Sequence, residues 1–444
     1  MNMISARRRL NILFLGWEGG GNVPPTISAV RALVERGHNV RFLGDDCILD
    51  EVRATGAKAS GWRRAPNRKD RSPESCFARD WEQPDAASAF RAWAKAIFLE
   101  PSASYAEDAM EAAREAPTDM LIGSDLLFGG MVAAEALGLP NALLATNVSL
   151  LRLPGHPPFG PGLLPAANAE ERDEHEHIAQ MGEAMFDSFL PALNEARTRF
   201  GLAPLSRTLD QLRPDRLLLA TSPSFDLPVA SLPDFIRYVG PLLEQPAWID
   251  RQKLSAPSAN ERPLVLVSLS TTYQGQDATL AAIVGALANL PVQGVVTLGK
   301  ALEGLQMSAP ANVKIVAGAS HDDILTRASA VVTHAGHGTT LRALRAGAPI
   351  VAMPMGRDQN ENAARIEYHG VGIRLDPSAP QQEIAAAVHR VISEPVFAAN
   401  ARKLARAIAN EGGGARRFVD EIEALARARD AAGSSPRQAV HRVA

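Results

Sequence analysis

Short, continuous apolar runs recur along this chain, separated by longer stretches of helical composition. The runs span residues 10–15, 40–43, 120–124, 142–145, 216–221, 264–269, 294–298, 313–316, 331–333 and 350–353, with a further strand edge at 369–375. They are rich in Val, Ile and Leu and do not alternate with polar residues, so they predict strands buried on both faces, as in a parallel sheet. Helices are expected between them, at about 26–35, 86–100, 103–116, 130–137, 191–200, 277–290, 341–345, 382–392 and 396–410, with a last one ending near 427. Strand and helix in regular alternation predict an α/β chain of doubly wound sheets. The alternation breaks at 244–263, a polar segment with three prolines, and restarts at 264. This divides the chain into a first unit at 1–243, a joint at 244–263 and a second unit at 264–410. Residues 431–444 read as a disordered tail.

Two glycine turns follow predicted strands. The first, at 16–25, contains Gly19, Gly20 and Gly21, but Pro24 and Pro25 break the Gly-x-Gly-x-x-Gly spacing of a dinucleotide site. The second, after Thr333, reads His334-Ala335-Gly336-His337-Gly338-Thr339-Thr340 and runs into a helix that stops at Gly347 before Pro349. A strand, a glycine turn and a helix start aim backbone N–H groups at one point, which suits a phosphate. The same pattern also serves as an ordinary α/β crossover. Asp125 closes the strand at 120–124 and so falls at the carboxyl edge of the sheet, where ligands bind in such folds. A helix-capping role fits it equally from local sequence alone.

The block from Val331 to Gln359 resembles the donor-site signature of the UDP-glycosyltransferase superfamily, most nearly its bacterial natural-product branch. His334, Gly336, Gly338, Thr339, Gly347, Pro349, Pro354, Asp358 and Gln359 all stand at that family's positions. The resemblance implies the GT-B architecture, two Rossmann-like domains facing a cleft. It implies inverting transfer of a hexose or deoxyhexose from a UDP- or dTDP-sugar to a small lipophilic acceptor such as a polyketide, macrolide or phenol. Neither a cofactor nor a metal is expected; the nucleotide sugar is a co-substrate. The diphosphate would meet Ser270, Thr271, Thr272, His321, His334, Gly336, His337, Gly338 and Thr339. Asp358 and Gln359 would hold the sugar, and the helix at 411–430 would cross back to the first domain.

The chain departs from the family in three places. The family's catalytic histidine position holds Gly21, the aromatic that stacks on the nucleotide base is replaced by Gly318, and the acid for the ribose hydroxyls is replaced by Arg342. A hydroxyl acceptor still needs a proton acceptor. The candidates are Asp125, where the family's aspartate orients the missing histidine, then Glu18 and His156. Trp62, Phe77, Trp81 and Phe159 are the acceptor-side aromatics, whereas Trp93 and Phe98 read as core. His175 and His177 fall in a charged run expected to be an exposed helix face. Two alternatives stay open: a catalytically silent partner of a working transferase, and a nucleotide-sugar epimerase of the same architecture. C-transfer, in place of O-transfer, would place different demands on the base.

Composition adds little to this. A net charge of −3 over 444 residues offers no pull toward nucleic acid or an anionic membrane. Cys47 and Cys76 have no metal-ligand spacing and fit a reducing cytoplasm. No apolar run approaches the length of a membrane span. A homodimer is compatible with the sequence.

Overall fold

The computed structural model describes residues 8–244 and 262–434. Most of the expected joint (245–261) and of the expected tail (435–444) lie outside the described residues.

The first sheet contains seven strands: β1 (Asn11–Leu15), β2 (Asn39–Gly44), β3 (Lys58–Gly61), β4 (Met120–Ser124), β5 (Asn141–Ala145), β6 (Arg216–Leu219) and β7 (Ile236–Tyr238). They are all parallel, in the order β3-β2-β1-β4-β5-β6-β7. The second has six: β8 (Leu264–Ser268), β9 (Gln293–Thr297), β10 (Val313–Val316), β11 (Ala328–Thr333), β12 (Ile350–Ala352) and β13 (Gly372–Arg374). They too are parallel, in the order β10-β9-β8-β11-β12-β13. Helices cover both faces of each sheet. The central strands are therefore buried throughout, as their unbroken apolar composition requires.

Strand order reverses at β1/β4 in the first sheet and at β8/β11 in the second. Crevices open at the carboxyl ends of strands flanking such a reversal. Each of these four strands runs straight into a candidate site segment: the first glycine turn after β1, Asp125 after β4, Ser270–Thr272 after β8, and His334 after β11.

Helix bounds differ from expectation in instructive ways. The span 86–100 is not one helix. Ala86–Trp93 is α-helical, and Ala94–Phe98 widens into a π turn. The charged run at 170–176 belongs to a longer helix, Ala169–Asp187, on which His175 is buried rather than exposed. The last helix, Gly414–Ser434, extends past the expected end. Its Phe418, Val419, Ile422 and Leu425 pack against Leu10, Phe14, Ile27 and Val30, so the end of the described chain completes the core of the first domain.

Candidate active site

A cleft of about 1970 Å³ lies between the two sheets, lined from both domains. The first domain contributes Trp17, Gly21, Asp80, Trp81, Phe90, Trp93, Phe98, Asp125 and Phe159 to its wall, and the second contributes Ser270–Thr272, His321, His334, Gly336–Thr339 and Arg357–Gln359.

The histidines of the second-domain wall are neutral groups. His334 is buried, with Nδ1 3.3 Å from Thr333 Oγ1. Burial, reinforced by the nearby Arg357 charge, lowers its pKa to about 4, so the ring is uncharged at neutral pH. Burial likewise lowers His321 to about 4, and its Nε2 lies 3.1 Å from Thr297 Oγ1. His337 is also pushed down by burial. Its tautomer follows from Asn362, whose Nδ2 donates to Ala335 O (2.9 Å) and to Asp358 Oδ2 (3.0 Å). Asn362 Oδ1 must therefore accept, and His337 Nδ1 carries the proton, 3.0 Å away.

Gly336 is required here by close approach. A Cβ at this position would fall 2.4 Å from His334 Nε2, so the imidazole would have to move out of its place. The preceding Ala335 holds a left-handed φ of 63°, a conformation a non-glycine residue adopts at a cost of about 1–3 kcal/mol. The domains meet at Gly20, where a φ of 81° and the methyl of Thr272, 2.5 Å from a hypothetical Cβ, both demand glycine. Gln359 is buried: its Oε1 accepts from Met355 N (2.7 Å) and its Nε2 donates to Gln274 Oε1 (2.9 Å).

On the opposite wall, Asp125 is 5 % exposed. Burial drives its carboxyl up from 3.8 to about 7, opposed only weakly by hydrogen bonds from its own amide and from Ser124 Oγ at 3.4 Å. Ser124 is itself held by Trp17 Nε1 at 3.3 Å. A buried carboxyl that titrates near neutrality is suited to accepting a proton.

The other two base candidates are placed elsewhere. Glu18 does not line the cleft. One of its oxygens accepts from Gly20 N (2.6 Å) and the other from Arg71 Nε (2.7 Å), so it braces the first turn. His156 turns inward and donates Nε2–H to Leu227 O at 2.9 Å. Two aromatic assignments change as well. Trp62 is buried, donates Nε1–H to Gly16 O (3.2 Å) and stacks edge-on against Tyr105, so it supports β1 rather than an acceptor. Phe77 is 49 % exposed and lies outside the cleft. Trp81 and Phe159 do line it.

Trp93 and Phe98, read from sequence as core, have two roles: both are buried in the first-domain cluster and both face the cleft. With Trp17 they form an aromatic wall, with ring centroids 5.3–5.7 Å apart. The turn at Ala94–Phe98 presents Trp93 and Phe98 side by side, an arrangement that the 3.6-residue periodicity did not anticipate. Sequence reasoning also missed Asp80 and Arg357. Arg357 Nε and Nη2 donate to the Asp80 carboxylate at 2.7 and 3.0 Å across the cleft, and its Nη1 donates to Thr272 Oγ1 at 2.7 Å. Glu361, on the helix Gln359–Tyr368, accepts from the amides of Gly160 and Gly162 (2.9 Å each) and so ties the Phe159 loop to the second domain.

Two Rossmann-like domains, with a cleft at both strand-order reversals and a glycine–hydroxyl turn on one wall, define the GT-B class. The comparisons with known proteins agree. Residues 281–424 match the family described as "Erythromycin biosynthesis protein CIII-like, C-terminal domain". The 4'-demethylrebeccamycin synthase of Lentzea aerocolonigenes is 28% identical over 87% of this chain and 92% of its own. The zeaxanthin glucosyltransferase of Pseudescherichia vulneris is 29% identical over 69% of this chain and 73% of its own. Among solved structures, the glycotransferase of kitacinnamycin superposes with a TM-score of 0.72 at 21% identity, covering 95% of this chain and all (100%) of that one. Glycosyltransferase VinC, solved with dTDP, superposes at 0.66 and 20% identity, covering 94% and 100%. By these comparisons the chain is similar to glycosyltransferases of natural-product biosynthesis, and its fold is GT-B. It is a sugar-transferring enzyme of natural-product biosynthesis. Among the described residues no helix is long and apolar enough to cross a membrane.

Proposed function

We propose that the protein moves a hexose or deoxyhexose from a UDP- or dTDP-sugar to a hydroxyl of a small lipophilic acceptor, with inversion and without a metal, using Asp125 as base. The observation that carries this reading is Asp125 itself: a buried carboxyl on the acceptor wall whose pKa of about 7 suits proton acceptance. The donor's diphosphate rests on the Ser270–Thr272 turn, His334 and the amides of 336–339. A neutral imidazole and fixed N–H dipoles there favour charge building on the leaving diphosphate. Asp358 keeps Oδ1 for a sugar hydroxyl while its Oδ2 accepts from Asn362. Gln359 steadies Gln274 and the loop beside the sugar, and its Nε2 keeps a second N–H to offer a sugar hydroxyl. Trp17, Trp81, Phe90, Trp93, Phe98 and Phe159 make the other half of the cleft a fit for an apolar, ring-bearing acceptor. The acceptor oxygen attacks the anomeric carbon from the face opposite the diphosphate. Its proton passes to Asp125 and the bonding pair leaves with the β-phosphate oxygen.

Two relatives of known structure bind thymidine diphosphate, and one of these also binds its aglycone, which supports this pairing of substrates. A thermal-shift screen of UDP, dTDP, ADP and GDP should identify the nucleotide. Incubation of the matching sugar nucleotide with phenolic and macrolide aglycones should then release free diphosphate only when acceptor is present. Product NMR should show the inverted anomer, and EDTA should leave the rate unchanged. Release that does not depend on acceptor would favour an epimerase, and no turnover with any pair would favour an auxiliary role.

A further inference from the structure

We propose that Arg357 is a catalytic residue that meets the diphosphate of the bound donor and supplies the positive charge against which it leaves. This rests on the reading of Ser270–Thr272 and His334 as the diphosphate cradle.

That cradle is neutral by itself. Its groups are hydroxyls, amides and an imidazole that burial keeps uncharged. As the sugar–oxygen bond breaks, its electron pair goes to the β-phosphate oxygen, and dipoles alone must bear the added charge unless a cation stands close. Arg357 does. Its Nη1 donates to Thr272 Oγ1 at 2.7 Å, and its charge is felt at His334. Among the described residues, no other guanidinium or ammonium group hydrogen-bonds this turn. Arg342, the other arginine on this wall, is occupied at the far end, holding Asp322 through two bonds of 2.7 and 2.8 Å and Glu244 O through a third.

Arg357 is held with two of its three nitrogens on Asp80 and its face over Trp93, at 5.2 Å. Nη1 is left toward the cradle with one N–H on Thr272 and a second to offer. Although burial pushes the Asp80 carboxyl up, the Arg357 hydrogen bonds and charge outweigh it and hold the group below its ordinary value. The pair is thus ionised, and the guanidinium is presented rather than free to wander.

The backbone supports the same conclusion. Among the described residues, the non-glycine residues with left-handed φ are Ala335 (63°), Arg357 (57°) and Arg79 (41°). One is in the cradle, one is the arginine and one directly precedes its aspartate. Such conformations persist where the surrounding structure imposes them, and they cluster at sites of function.

The test is calorimetric titration of the intact protein with UDP, dTDP and UMP, alongside kcat and KM for the sugar donor, in wild type, Arg357→Gln, Arg357→Lys and Asp80→Asn. Arg357→Gln is expected to lose diphosphate affinity by roughly ten- to hundredfold while UMP affinity changes little, since a charge-assisted contact is removed. Its kcat should fall by more than its donor KM rises. Arg357→Lys should retain part of the diphosphate preference, and Asp80→Asn should keep or strengthen it. If Arg357 were only a tie between domains, Arg357→Gln and Asp80→Asn would change the UDP-to-UMP ratio alike, and that result overturns the proposal. An unchanged ratio in Arg357→Gln overturns it too. Should Arg357→Gln fail to fold, Arg357→Lys decides: it keeps the charge but not the fork, and a ratio collapsed to that of UMP alone refutes the role. Wild-type protein that binds neither diphosphate would instead remove the donor reading on which this one stands.

Discussion

Replacing Asp125 with asparagine should reduce turnover and strengthen the fold at the same time. Asn keeps the shape of the side chain and removes its ionisation. The carboxyl moves from 3.8 to about 7 on folding because burial penalises the charged form. Between those two values the folded protein holds a proton that the unfolded chain has released, so this group's contribution to stability falls as pH rises through that window. At about 1.4 kcal/mol per pH unit, the full penalty above pH 7 is about 4 kcal/mol. Asn carries no such penalty. Chemical denaturation should therefore show Asp125→Asn gaining stability over wild type at pH 8, by up to about 4 kcal/mol, and gaining much less at pH 4. Activity should move the opposite way. Loss of a positioned base costs roughly 10²- to 10⁴-fold in kcat, while the affinity for UDP or dTDP should hold. The wild-type kcat should climb with pH and level off above about 7, where Asp125 is ionised. A variant with near-normal kcat, or one less stable than wild type at pH 8, would refute the assignment and its electrostatic basis respectively.

Gly336→Ala should fold but bind UDP or dTDP at least tenfold more weakly by calorimetry, because its Cβ would lie 2.4 Å from His334 Nε2 and displace the ring. Glu361→Gln places an amide NH₂ or a weaker acceptor against two backbone N–H groups and Arg365. Disturbing a buried charged contact of this kind costs about 3–5 kcal/mol, so the melting temperature should drop and the acceptor KM should rise more than the donor KM. Gly21→His meets no atom within 4 Å of its new Cβ. Its stability should stay within about 0.5 kcal/mol of wild type, while the imidazole takes space in the cleft and raises KM for bulky acceptors.

What could be read from the sequence follows from how local each feature is. The central strands declared themselves because burial on both faces needs continuous Val, Ile and Leu, as in Leu264–Ser268. β3 did not: Lys58–Gly61 is an edge strand with alternate residues exposed and no long apolar side chain, so nothing in it differs from a loop. The second-domain wall was legible because most of its groups are contiguous: Ser270–Thr272 and His334–Thr340 each follow a strand, β8 and β11. Glu18 and His156 resembled bases only until their partners were known, and those partners, Arg71 and Leu227, are distant in sequence.

Asp80 and Arg357 show the same limit from the other side. They are separated by 277 positions and carried by opposite domains, and neither side chain is unusual in its own neighbourhood. Their pairing arises only where the two domains meet and set one left-handed residue, Arg357, against the turn that follows another, Arg79. The base side of the cleft can be understood in the same terms. Gly21 removes the histidine but leaves open volume, and Asp125 sits deep enough for burial alone to move its carboxyl into the working range. On the proposed reading, desolvation of Asp125 supplies the basicity that an imidazole at position 21 would otherwise bring, so no further residue is required.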